Sequence, residues 1–418
     1  MSEFIYQSAI STVASLMKVA AIFNSKIRLG VEGRNGLLEA MEDSFPKLVN
    51  GRAVAWFHAA SLGEFEQGRP VIEAYRTHFP DDFILLTFFS PSGYEVRKNY
   101  TGADYICYLP IDTASNARRF VKIVNPRIAF FIKYEFWHNY LKALKKNETY
   151  IISFSTIFRP NQAFFKKSGS FFRQMLIAFD HIFVQNKQSL QLLESAGIHQ
   201  CSIAGDTRFD RVAAIASNTK SFPEIAGFRN GQVCLIAGSV WEADMQVLIP
   251  ALNSYEGKLK AIIAPHEIHK EQMEQWRKSL TGKTLLYSEL ASENNISAFD
   301  YLIIDNIGML SALYQYGNMA FIGGAFGSGL HNILEAATFG IPVAFGNKRY
   351  HKFQEALDLT EQGGAVAVAG REELIATIGQ WLNDPEKRKM AGAVNKNYIA
   401  AGIGSTDMIL NEVKKLQS

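Results

Sequence analysis

Two carboxylates in the first half of the chain, Glu64 and Glu135, each follow a short apolar run that ends in polar residues. The first closes the stretch Trp56-Phe57-His58-Ala59-Ala60-Ser61-Leu62-Gly63-Glu64, and the second lies in Lys133-Tyr134-Glu135-Phe136-Trp137. An acid at the carboxyl end of a strand can serve as a general base toward a hydroxyl nucleophile. The bland alternatives are an acid that stabilises a helix dipole for Glu64 and a helix cap flanked by core aromatics for Glu135. The second half carries a different constellation, Phe321 to Gly346, which reads FIGGAFGSGLHNILEAATFGIPVAFG. Glycines 323, 324, 327 and 329 let backbone N–H groups approach a ligand, and the helix start that follows suits a phosphate. His331, Asn332 and Glu335 sit at or just inside that start, with Asn332 and Glu335 three apart on one face. Gly richness alone describes an ordinary capped turn; an imidazole and a carboxylate on the same turn point to a nucleotide-sugar site. Gly238-Ser239, Ala264-Pro265-His266-Glu267 and Asp305-Asn306-Ile307-Gly308 follow other apolar runs at the same edge, although a histidine such as His266 alone is more often a surface or capping residue.

The elements that must position these residues are legible as alternating short apolar runs and helix-like polar stretches. In the first half the runs are Ala53–His58, Phe83–Phe88, Tyr105–Leu109, Ile128–Ile132, Tyr150–Phe154, His181–Gln185 and Ser202–Ala204. The second half repeats the rhythm with Gln232–Ala237, Lys260–Ala264, Thr284–Tyr287, Tyr301–Ile304, Met319–Ile322, Val343–Phe345 and Ala365–Val368. Helices are expected over Glu66–Phe79 and His331–Phe339. Such alternation predicts two mainly parallel α/β sheets covered on both faces, with a ligand cleft between the carboxyl ends of their strands. The less regular stretch Arg208–Gly231 is the expected junction. The glycines of 323–329 do not form GxGxxG after a first strand, so a dinucleotide fingerprint is not supported.

Composition sets the remaining bounds. At 418 residues, 48% hydrophobic and 20% charged, the chain has ample core for more than one domain. A net charge of +3, with no dense Lys/Arg cluster, argues against a nucleic-acid partner. The three cysteines, Cys107, Cys201 and Cys234, lie far apart and read as buried thiols of a reducing compartment, neither metal ligands nor a disulfide framework. No HxxxH, DxD or CxxC spacing offers a metal site, so metal-free chemistry is expected. Phe4–Phe23 is about long enough to meet a bilayer, and Lys26, Arg28 and Arg34 follow it. An anchor, either spanning or lying in the interface, is favoured over a buried core helix, with the main body in the cytoplasm.

Taken together these residues resemble the bacterial 3-deoxy-D-manno-octulosonic acid (Kdo) transferases that act on the lipid A precursor. The resemblance runs from the hydrophobic N-terminal segment through the HxxSxGE turn (His58, Ser61, Gly63, Glu64) and the element Glu135-Phe136-Trp137-His138-Asn139 to Gly323, Gly324, His331, Asn332 and Glu335. It implies an α/β fold of GT-B architecture, two Rossmann-like doubly wound domains facing a cleft plus an N-terminal hydrophobic helix. The expected divisions are a membrane-associating helix over 1–30, an acceptor domain over 31–212 and a CMP-Kdo domain over 213–418, with the last helix a candidate to pack back on the first domain. The resemblance assigns Glu64 as catalytic base and Glu135 as second required acid. It places His58, Ser61 and Gly63 toward the acceptor, and Ser239, His266, Gly323, Gly324, His331, Asn332 and Glu335 toward the donor. Two departures stand out: Ala264-Pro265-His266-Glu267 lacks the arginine of the family's P-R-H element, and His138 replaces a usual proline. Lys348, Arg349 or Lys352 could restore the lost charge, with Lys352 taken as the donor contact.

The implied activity is inverting transfer of Kdo from CMP-Kdo to a lipid A precursor at the cytoplasmic face of the bacterial inner membrane, with no cofactor or metal. Residues 4–23 would supply the membrane association. The alternatives are a GT-B transferase or epimerase using a UDP-sugar, and a membrane-tethered sugar-nucleotide-binding protein without catalysis. The epimerase needs no lipid, and the presence of both Glu64 and Glu135 speaks against lost catalysis.

Overall fold

Fourteen short strands, each followed by helix or turn, build two separate parallel sheets in the computed structural model, which describes residues 3–416. One compact unit runs to Arg211 and resumes at Ile403; the other is Val212–Gly402. In the first unit the strands are β1 (Val54–Ala59), β2 (Phe83–Phe88), β3 (Tyr105–Tyr108), β4 (Ile128–Ile132), β5 (Tyr150–Thr156), β6 (His181–Val184) and β7 (Cys201–Ile203). They pair in parallel in the order β3-β2-β1-β4-β5-β6-β7. Every residue of β1, β2 and β4 is buried. Alternation divides β1 between two cores: Val54 and Trp56 join one hydrophobic cluster, while Ala55, Phe57 and Ala59 join the other. A strand buried on both faces has no polar side to alternate with, which is why these runs read as continuously apolar.

The second unit repeats the architecture with β8 (Cys234–Val240), β9 (Lys260–Pro265), β10 (Thr284–Leu286), β11 (Tyr301–Ile303), β12 (Met319–Ile322), β13 (Val343–Gly346) and β14 (Ala365–Val368). Its parallel order is β10-β11-β9-β8-β12-β13-β14. Strand order reverses between β1 and β4 in the first sheet and between β8 and β12 in the second. Such reversals open a crevice beyond the carboxyl ends of the two central strands, where doubly wound folds place their ligands.

Three local expectations are corrected. The stretch Arg208–Gly231 is not irregular: it holds the helices Arg208–Ser217 and Pro223–Arg229, and the change of unit falls inside the first of them. The helix carrying Glu64 spans Leu62–His78, so the acid lies in its first turn; extended Ser61 (φ −141°) is the cap. The expected helix His331–Phe339 shrinks to Leu334–Ala337. His331 N–H instead donates back to Gly323 O at 3.2 Å, and Asn332 Oδ1 accepts from Leu334 N at 3.2 Å, so the preceding residues stay in the loop. The last helix, Ser405–Lys415, packs on the first unit, with Ser405 Oγ donating to Ala204 O (2.6 Å) and Ile409, Leu410 and Val413 in its core.

Candidate functional site

At the reversal in the first sheet, β1 delivers His58 and β4 delivers Lys133-Tyr134-Glu135. The two strands are paired, with His58 opposite Phe131. The His58 ring is fully buried. Its Nδ1 lies 2.8 Å from Thr87 Oγ1 on β2, and its Nε2 lies 3.2 Å from Glu135 Oε2. Trp137 Nε1–H donates to the same carboxylate oxygen at 2.7 Å, and its ring stacks on Phe89 (centroids 5.0 Å apart). Glu135 thus lies between the Trp137 N–H and His58 Nε2, which Trp137 Nε1 also approaches at 3.2 Å, and keeps a small exposed edge (11%). His58, expected among the acceptor contacts, has no exposed surface, and its Nε2 faces Glu135 instead. Lys133 adopts φ +69°, a left-handed conformation that is uncommon for a side-chain-bearing residue, at the turn that aims Glu135.

Ser61 Oγ donates to Glu64 Oε2, and Gly63 between them is exposed. The helix that carries Glu64 is drawn tightly onto β4 because Gly68 has no side chain. A Cβ there would come within 2.2 Å of Ile132 Cδ1. Glu64 and Glu135 therefore arise from the carboxyl ends of adjacent strands of one sheet.

At the reversal in the second sheet, Ser239 takes φ +52° where β8 loses register with β9 between Gly238 and Val240. The glycine pair after β12 is required by space. A Cβ on Gly323 would fall 2.3 Å from Ser239 O and 2.6 Å from Val240 Cα; Gly324 has φ +95° and faces Gly329 O at 2.2 Å from its would-be Cβ. Buried Asp244 locks the two loops together, its Oδ2 accepting from Trp241 N (2.9 Å) and Gly324 N (2.8 Å). Burial pushes its carboxyl above the usual range, offset by these N–H donors.

Over this turn Trp241, His266 and His331 stack. Trp241–His266 centroids are 4.4 Å apart and His266–His331 4.3 Å. Trp241 Nε1–H donates to His331 Nε2 at 2.9 Å. Indole nitrogen is a donor only, so this contact requires a bare Nε2 and a neutral imidazole with its proton on Nδ1. Burial, with neighbouring His266 adding to it, pushes His331 down to about 4. Burial likewise lowers His266. Asn332 Nδ2 donates to Glu335 Oε1 at 3.3 Å.

Beyond β13 an open depression of about 290 Å³ is lined by Ser328, Lys348, Arg349, His351 and Lys352. Backbone bonds Arg349 N to Ala325 O (3.1 Å) and Leu330 N to Arg349 O (3.3 Å) tie this loop to the glycine turn. The Gly329 backbone lies beside Lys352, whose Nζ would sit 3.6 Å from a Cβ there. The three cations of the run Lys348 to Lys352 thus line one concavity. Ser239, His266, Gly323, Gly324, His331, Asn332, Glu335 and Lys352 all lie at or beyond the carboxyl ends of β8, β9, β12 and β13. Thr87, Trp241 and Asp244 were missed. A signal existed for the last two: Trp241 opens the helix Glu242–Asn253 and Asp244 is its third residue, a capping arrangement. Among the described residues no group of three or more His, Cys, Asp or Glu is placed to hold a metal ion.

Residues 31–211 match the family model described as 3-deoxy-D-manno-octulosonic-acid transferase (kdotransferase). The 3-deoxy-D-manno-octulosonic acid transferase of Aquifex aeolicus is 26% identical over 365 residues, covering 84% of this chain and 93% of the relative. That of Chlamydia muridarum is 25% identical over 389 residues, 90% of this chain and 86% of the relative. Among solved structures, UDP-GlcNAc 2-epimerase from Neisseria meningitidis superposes with a TM-score of 0.60 at 14% identity, covering 87% of this chain and 100% of that one. Acinetobacter baumannii MurG gives 0.57 at 12% identity, covering 87% and 99%. The chain thus shares the two-domain, GT-B-like α/β fold of these structures.

Proposed function

We propose that this chain, a glycosyltransferase of the 3-deoxy-D-manno-octulosonic-acid transferase family, moves Kdo from CMP-Kdo to a lipid A precursor with inversion at the anomeric carbon. The observation that carries the reading is the pair of acids, Glu64 and Glu135, at adjacent strand ends inside the segment that matches the family. Glu64 takes the proton from an acceptor sugar hydroxyl. The hydroxyl oxygen forms a bond to the anomeric carbon of Kdo as the bond from that carbon to the CMP phosphate oxygen breaks, and the electron pair leaves with CMP. One direct displacement needs one base, and Glu135, held by His58 and Trp137, orients the acceptor beside it. Ser61 and Gly63 lie on the acceptor side.

On the second unit, the glycine turn and the stack of Trp241, His266 and His331 receive the nucleotide, with Ser239, Asn332 and Glu335 at the same edge. Lys348, Arg349 and Lys352 stabilise the leaving phosphate electrostatically, a role in which no metal is needed. The exposed apolar helix Glu3–Phe23 associates the enzyme with the cytoplasmic face of the bacterial inner membrane.

The test is transfer of Kdo from CMP-Kdo to a tetraacylated lipid A precursor, in EDTA, by the wild type and by Glu64→Ala. Activity in the wild type with a loss of at least about a hundredfold in the variant is expected for removal of a general base. Activity that survives the substitution removes Glu64 as the base. Absence of transfer, with a UDP-sugar accepted instead, overturns the donor.

A further inference from the structure

The N-terminal helix Glu3–Phe23 is tied to the rest of the first unit directly at its start and, beyond its end, through the helix that follows it. At its start the Tyr6 hydroxyl donates to Asp112 Oδ2 (2.5 Å) and Gln7 Nε2 to Asn139 Oδ1 (2.5 Å), while Lys142 Nζ meets Glu3 Oε1 at 2.8 Å. The Tyr6 ring also packs edge-on against His138, with centroids 5.4 Å apart. At its other end the chain bends at Asn24 into the helix Ser25–Glu32, where Gly30 abuts Pro91. Arg34 then donates to the carbonyls of Phe89 (2.5 Å) and Leu109 (2.7 Å).

Length alone would let the helix cross a membrane: 21 residues rise about 31 Å against a hydrocarbon core of about 30 Å. A crossing helix must, however, put its ends on opposite sides. Here Glu3, Tyr6 and Gln7 touch the unit directly, and the helical path from Phe23 to Gly30 reaches only about 10 Å. Between the ties Tyr6, Gln7, Ile10, Ala14, Met17 and Ala20 are half-buried and Ala21 is buried, a stripe at intervals of three and four that faces the protein.

The opposite face exposes Phe4 (80%), Leu16, Val19, Ile22 and Phe23 (85%). Its hydroxyls turn back on the helix, Thr12 Oγ1 donating to Ser8 O (2.9 Å) and Ser15 Oγ to Ser11 O (3.0 Å), which satisfies donors that lipid cannot. Lys18, Lys26 and Arg28 are exposed, and no acid occurs from Phe4 to Val31, a balance suited to anionic headgroups.

We propose that Glu3–Phe23 lies in the plane of an anionic lipid bilayer, immersing the face of Phe4, Leu16, Val19 and Phe23, and does not cross it. This rests on the membrane-association reading above and adds the orientation. The docked ends hold the helix parallel to the surface, so its exposed residues enter to one shallow depth of about 5–10 Å.

The experiment places a nitroxide label on single cysteines at positions 4, 12, 19 and 23 of the full chain, in a Cys201→Ser background that removes the half-exposed native thiol. Depth is read by paramagnetic accessibility on vesicles of phosphatidylglycerol and phosphatidylcholine. Similar shallow depths at all four sites, with tighter binding to the anionic vesicles, are expected. A deep centre at position 12 with shallow ends overturns the in-plane orientation and leaves membrane association standing. Absence of vesicle binding overturns both, and label contacts between copies in lipid-free solution would assign the face to a second copy instead.

Discussion

His58 Nε2 lies 3.2 Å from Glu135 Oε2, while its Nδ1 lies 2.8 Å from Thr87 Oγ1, so one buried imidazole links β2 to the carboxylate beyond β4. In the neutral tautomer with the proton on Nε2, the ring donates to Glu135 and accepts from the Thr87 hydroxyl. His58→Phe removes both bonds and leaves Glu135 held by Trp137 alone of this pair of rings. Its kcat should fall by up to about a hundredfold, the scale of a misplaced reacting group. His58→Gln restores a donor toward Glu135 and should recover part of that loss, with KM for the donor sugar unchanged in both. A steady-state kcat/KM split with a pH profile tests this; equal activity of wild type and His58→Phe would remove the positioning role.

The stack of Trp241, His266 and His331 makes the second unit acid-sensitive. The folded-state pKa of His331 lies at about 4, below its ordinary value of 6.5, so the folded state binds fewer protons there. Its contribution to stability is full above about pH 6.5 and declines as pH falls toward 4. His331→Gln, which cannot charge, should flatten that part of the curve. Thermal unfolding monitored at intervals across this range decides it, and identical slopes for both proteins would sink the assignment.

Asp244 joins two loops by accepting from two backbone N–H groups, Trp241 and Gly324. Asp244→Ala leaves Trp241 N–H and Gly324 N–H without their carboxylate and should destabilise the unit by about 3 kcal/mol, the sum expected for two charged-acceptor bonds. Asp244→Asn keeps one acceptor oxygen and should lie between. Denaturant unfolding measures both; a loss under about 0.5 kcal/mol in the alanine variant, the range of an ordinary surface change, would contradict the reading.

Gly323 should tolerate no side chain. The clashes of a Cβ are with the backbone of Ser239 and Val240, which cannot swing away as a side-chain end can. Gly323→Ala should therefore weaken nucleotide binding more than it lowers stability, as the turn shifts to relieve the contact. Isothermal titration with CMP beside a melting curve separates the two effects; unchanged affinity would show that the turn does not shape the site.

The cationic depression makes a prediction about salt. Lys352→Ala and Lys348→Ala should each weaken CMP binding by about tenfold, the scale of one charge-assisted contact, with the difference shrinking at high ionic strength. Unaltered affinity in Lys352→Ala would take that lysine out of the donor site.

Much of this protein is legible without coordinates. Strands such as Phe83–Phe88 and Ile128–Ile132 appear at their observed bounds because a strand buried on both faces must be apolar at every position. The acids and the glycine turn are legible as polar or Gly-rich residues directly after apolar runs, and the fold places those runs as strands. Periodicity extends the helix Leu334–Ala337 over His331–Phe339, since it carries no record of the hydrogen bonds that His331 and Asn332 spend on the loop. Only the tertiary structure decided that His58 is buried behind Glu135 and that Trp241 and Asp244 belong beside the glycine turn. It likewise decided that the N-terminal helix is tethered at both ends. Each rests on contacts between residues 55 to 132 positions apart, set by strand order and helix docking. Sequence patterning records which way a residue faces within its own element; it does not record which distant element it meets.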